Sequence, residues 1–136
     1  MVKTVRSSSF AGGKHITDID SITLANNTTL NHDIVVPAGK RWQILTIKGV
    51  NCDDVARAIS MTSYNEAAAT SSINLIAYNA AVGATGELMW PNDTYFPYDL
   101  ILSAGQMIRV TFVAGGASAG GTDADGVVVS ILEVDV

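Results

Sequence analysis

Val35–Ile44 reads VVPAGKRWQI and Ile101–Val110 reads ILSAGQMIRV. Each places apolar residues before an Ala-Gly pair, then a polar residue, then apolar residues again. A strand that ends at Ala-Gly and restarts at once needs a backbone angle at Gly39 and Gly105 that a Cβ forbids. Pro37 suits a strand end that has no ladder donor to give. One device used twice, far apart in the chain, predicts two corresponding corners of a Greek-key or jelly-roll arrangement.

The neighbouring stretches read as strands. RWQILTIKGV is rich in β-formers. VARAISMTSY puts Val55, Arg57, Ile59 and Met61 on one side, and SSINLIAYN alternates Ile73, Leu75 and Ala77 against Asn74, Ile76 and Tyr78. MIRVTFV places Ile108, Val110 and Phe112 opposite Arg109 and Thr111. SILEVDV places Leu132, Val134 and Val136 opposite Glu133 and Asp135. A period of two marks half-buried strands. The clusters ANNTT, NCDD, WPNDT, GGASAGG and DADG separate the runs as turns or loops. NEAAAT, with Asn65 as cap, offers the one short helical turn. The expectation is an all-β chain, an antiparallel jelly-roll-like sandwich of about eight strands over residues 15–136. It carries a flexible N-terminal arm, residues 1–14.

Hydrophobic residues make up 48% of the 136 and charged residues only 15%, against about a quarter charged in ordinary globular domains. Such a surface is expected to be covered by another chain, which points to an oligomer or large assembly. The arm holds Lys3, Arg6 and Lys14 and no acid, a charge of +3, while the rest sums to −8. An acidic body argues against nucleic acid, whose phosphates need basic clusters. Lys3, Arg6 and Lys14 with Phe10 form a candidate docking arm for an acidic neighbour. No apolar run reaches the ~20 residues of a membrane span, and no apolar stretch follows Lys3 and Arg6 as a secretory signal would require. Cys52 is the sole cysteine, so no intrachain disulfide forms and synthesis inside a cell is expected.

Candidate chemistry is sparse. His32 precedes Asp33, but strand neighbours point to opposite faces and cannot act as a base and its orienter. Cys52 lies beside Asp53 and Asp54, whose charge suppresses a thiolate. TDADG lacks the further ligands and terminal glutamate of a calcium loop; a hairpin with Asp-Gly at its tip is expected instead. Asn26, Asn27 and Asn92 each open an N-x-[ST] triplet and are read as turn residues. These features exclude no single reaction, but none assembles a catalytic centre, metal site or cofactor site. MWPNDTYFPY gathers Trp90, Tyr95, Phe96 and Tyr98 within nine positions. The cluster serves as core at one end of the sandwich, as an interface anchor, or as a sugar-stacking loop.

The joint pattern VVPAGKRWQILTI, then FPYDLILSAGQMIRVTF, then a strand running to Val136, resembles small β-sandwich structural proteins of tailed bacteriophages. Capsid decoration (cement) proteins and the head domains of fibres are the nearest types, and the resemblance covers about Ile34 to Val136. It implies a jelly-roll-like protomer, commonly trimeric, bound to a shell of major capsid protein, with no catalytic residues. A fibre's repetitive shaft is missing, which favours decoration. The expectation is a non-enzymatic virion protein made in the host cytoplasm, with Lys3, Arg6, Phe10, Lys14, Trp90, Tyr95 and Phe96 facing partners. The alternative is a receptor- or carbohydrate-binding head module.

Overall fold

The computed structural model of the chain describes residues 12–23, 29–51, 56–65, 72–76, 80–83, 86–91, 99–113 and 124–136. These residues form ten strands and no helix. They are β1 (Lys14–Thr23), β2 (Leu30–Val35), β3 (Lys40–Val50), β4 (Arg57–Tyr64), β5 (Ser72–Asn74), β6 (Ala80–Val82), β7 (Glu87–Trp90), β8 (Leu100–Ser103), β9 (Met107–Val113) and β10 (Ala124–Asp135). The first sheet runs β1-β10-β3, with β7 and β8 sharing the far edge of β3. The second runs β2-β9-β4, with β5 and β6 sharing the far edge of β4. Every pairing is antiparallel. The turn spacing predicts about eight strands and the described residues form ten; counting each shared edge once, they occupy eight lanes.

The topology is one long antiparallel hairpin rolled up. β1 pairs β10, β2 pairs β9, β3 pairs β8 and β7, and β4 pairs β6 and β5. Alternate pairs fall in alternate sheets, which is the jelly roll. The two Ala-Gly stretches are the place where both halves of that hairpin cross together from one sheet to the other. Pro37–Lys40 and Ser103–Gln106 are four-residue turns, closed by Lys40 N–H on the Pro37 carbonyl at 3.3 Å and Gln106 N–H on the Ser103 carbonyl at 3.0 Å. Gly39 and Gly105 hold φ of 75° and 84°, the third-position angle of a type II turn. The corners lie side by side: Val36 donates to the Gln106 carbonyl at 2.9 Å and accepts from Gly105 N–H at 3.0 Å.

The core lies between the sheets. Ile34, Ile59, Met61, Ile108, Val110 and Phe112 from the second face Trp42, Ile44, Ile47, Val127, Val129 and Ile131 from the first. Each such side chain contributes about 1.5–3 kcal/mol on leaving water. Gly49 marks a close approach of the sheets: a Cβ there would stand 3.3 Å from Ile59 Cδ1 and Cγ2.

Several expectations need correcting. β5 stops at Asn74, because Leu75 N–H donates to the Met61 carbonyl and Leu75 and Ile76 both turn into the core, while Ile73 is exposed. The alternation expected through SSINLIAYN therefore fails after three residues. In SILEVDV the buried residue is Ile131; Leu132 and Val134 are half-buried on the outer face, and Val136 is exposed. Glu133 occupies the inner side because Trp42 Nε1 donates to its Oε2 at 2.8 Å. Asp125 and Gly126 lie within β10, paired to Ile22 and Ser21, and not at a hairpin tip. Asp125 is buried, as are Arg57 and Asn51. Lys14 is the first residue of β1, opposite Glu133, so it belongs to the sheet and not to the arm. Residues 1–11, 66–70 and the N-x-[ST] asparagines lie outside the described residues, as does Cys52.

Candidate functional site

Of the residues expected to face partners, Lys3, Arg6, Phe10, Tyr95 and Phe96 lie outside the described residues. Lys14 is exposed on the edge strand. Trp90 is corrected from a surface anchor to a core residue: it is 1% exposed and pairs with Ile47 on the inner side of the first sheet. The histidine reading holds. His32 Nε2 lies 2.8 Å from Asp18 Oδ1, bridging the edge strands β2 and β1 of the two sheets, while Asp33 points the other way. Among the described residues no three His, Cys, Asp or Glu side chains gather as metal ligands, and no helix is long and apolar enough to cross a membrane.

The two outer faces of the sandwich differ in character. On the first sheet, the register lines up Ile19, Val128, Lys48 and Met89 across β1, β10, β3 and β7. A second row lines up His15, Leu132, Gln43 and Ile101. Ile19 is 72% exposed and Met89 44%. Lys48 in the first row is paired to Glu87 at 2.8 Å, so the row offers apolar surface and little net charge.

The outer face of the second sheet is polar and hollowed. Thr29, Asn31, Ser60, Thr62, Tyr64, Arg109, Thr111 and Val113 line a groove of about 290 Å³. Its floor is made of short side chains: Ser60 is 4% and Thr62 6% exposed although both point away from the core. Arg109 rises over it, gripped by Asp33 through two bonds, Nε to Oδ1 at 2.6 Å and Nη2 to Oδ2 at 2.8 Å. The guanidinium also sits 5.4 Å above the Tyr64 ring. The Asp33 hydrogen bond holds the Arg109 guanidinium above its ordinary pKa. Thr111 Oγ1 donates to Asn31 Oδ1 at 2.8 Å, which leaves the amide nitrogen as the donor end. Sequence reading set Arg109 and Thr111 apart from the core. It could not show that β2, β9 and β4 lie side by side, which is what joins their polar sides.

No protein-family model matches the chain, and no curated protein matches it. Among solved structures it is similar to Aeromonas hydrophila PliG, a periplasmic lysozyme inhibitor of g-type lysozyme (16% identity, covering 89% of each chain, TM-score 0.37). It is also similar to a CBM4 structure (15% identity, 90% of this chain and 79% of that one, TM-score 0.37). A third similarity is to infectious bursal disease virus, Gx strain (10% identity, 89% of this chain and 33% of that one, TM-score 0.35). The fold assignment rests on the strand order above.

Proposed function

We propose that the chain is a non-enzymatic structural protein of a virion, which assembles with copies of itself and decorates a phage capsid. The observation that carries the reading is one cross-strand row on the outer face of the first sheet, where exposed Ile19 and Met89 stand in line with half-buried Val128 and with Lys48, which is paired to Glu87. A second copy covering that row returns roughly 25 cal/mol per Å² of apolar surface, and few charges must be stripped of water to do so. The phage resemblance makes the assembly a trimer and its partner the major capsid protein. Lys3, Arg6, Phe10 and Lys14 then serve to attach the acidic body to an acidic neighbour.

Light scattering on the purified chain at tens of micromolar tests the assembly. The parent is expected as an oligomer and the Ile19→Lys, Met89→Lys double variant as a folded monomer; a monomeric parent overturns the reading. Co-sedimentation with phage capsid shells tests the attachment. Binding should weaken as salt rises and when residues 1–11 are removed, and a parent that ignores the shells overturns the capsid assignment.

A further inference from the structure

We infer that the groove on the outer face of the second sheet binds a small, neutral, polyhydroxylated ligand, of the size of a single sugar unit. It lies on the face opposite the proposed assembly surface and is independent of it.

Three features define the ligand class. The lining residues are mostly polar: Thr29, Ser60, Thr62, Tyr64 and Thr111 carry hydroxyls, Asn31 an amide and Arg109 a guanidinium, while their carbon atoms and Val113 make up about half of the exposed wall. Hydroxyls both donate and accept, so such a lining matches a ligand whose own groups do the same. An apolar ligand would instead leave these groups without their water.

The second feature is charge. The cation in the groove, Arg109, is already neutralised by the paired bonds to Asp33. An anion could reach only the remaining Nη1/Nη2 edge of the guanidinium, whose charge Asp33 already offsets. The Arg109–Asp33 pair is thus a rigid wall with little net field, and the ligand it tolerates best is uncharged. The third feature is form. Ser60 and Thr62 are recessed beneath taller neighbours, and about 290 Å³ sits at the lower end of ligand pockets, about 300–1,000 Å³. The groove has room for one ring. Recognition is by hydrogen bonds more than by stacking, because the face of Tyr64 is taken by Arg109.

Titrations of the 15N-labelled full chain with glucose, galactose, N-acetylglucosamine and inorganic phosphate, each to tens of millimolar, test the inference. At least one neutral sugar should move the amide resonances of Ser60, Thr62, Arg109 and Thr111 saturably, and phosphate should not. Thr111→Val removes one hydroxyl at constant shape and releases Asn31; Ser60→Ala removes a floor hydroxyl. Either should weaken binding by about tenfold while the resonances of the inner-face residues stay in place. The inference is overturned by no saturable shift with any of the sugars, by shifts confined to other regions, by phosphate binding as well as the sugars, or by full affinity in both variants.

Discussion

At the scale of single residues, Gly39 and Gly105 carry the fold's corners through backbone angle alone. A Cβ built at either position meets nothing within 4 Å, so a side chain there costs strain and not space. Gly39→Val and Gly105→Val should each destabilise by about 1–3 kcal/mol. Gly→Asn at the same positions should recover most of that loss, since Asn tolerates positive φ. Urea denaturation measures both, and valine variants as stable as the parent contradict the corner assignment. Trp42 makes a different kind of bond: its indole N–H satisfies Glu133, whose side chain is only 15% exposed. Trp42→Phe should cost about 1–3 kcal/mol by removing the indole donor and leaving that carboxylate with Lys40 as its partner among the described residues. Added Glu133→Gln should make the loss smaller than the sum of the two single changes. The glycines were legible in the sequence because the same Ala-Gly device occurs twice. The Trp42–Glu133 bond was not, since it joins residues 91 positions apart.

At the scale of elements, alternation was a good guide where a strand keeps one register and a poor one where it does not. β9 follows the rule, with Ile108, Val110 and Phe112 in the core and Arg109 and Thr111 outside. β3 breaks it. Trp42 and Ile44 are buried, then Ile47 and Gly49, so the buried parity changes in mid-strand. The cause is a bulge: Ser130 of β10 pairs Thr46 and Ile131 pairs Ile44, with Leu45 skipped. The extra residue breaks the odd–even pattern of the sequence while the ladder keeps its faces. Deleting Leu45 should therefore be tolerated, because it joins Ile44 to Thr46 and leaves Trp42, Ile44, Ile47 and Gly49 alternating on the inner face without a break. The deletion variant should keep a cooperative thermal transition; its loss would show that the bend of the bulge, and not only the register, is needed there. β10 was misread for a related reason. Leu132 and Val134 are apolar but outward, and a strand apolar on both sides does not reveal in isolation which side is the core.

For the whole molecule, the rolled hairpin puts the C-terminal strand between β1 and β3 and fastens its end to the first corner. Val136 N–H donates to the Gly39 carbonyl at 3.0 Å. Lys40, the residue after the corner, bonds Asp135 and stands 3.6 Å from Glu133. The hydrogen bond and charge of Lys40 hold the Asp135 carboxyl below the ordinary carboxylate range, and Asp135 in turn holds the Lys40 ammonium above its ordinary value. The signs fix a window. A lowered carboxylate contributes fully above its ordinary pKa of about 3.9 and loses that contribution as pH falls through the lowered value. A raised ammonium contributes fully below about 10.4 and loses its contribution as pH rises through the raised value. The pair is exposed, so its effect is small and salt-sensitive. Lys40→Met removes both halves at once. The melting temperature of the parent should exceed that of Lys40→Met by a small, constant margin between roughly pH 5 and 9. The margin should close as the carboxylates are protonated below about pH 4, and should narrow at neutral pH in molar salt. A margin that ignores both acid and salt would mean that Lys40 acts through the packing of its stem at the corner, and that the strand end is held by the Val136–Gly39 bond without help from charge.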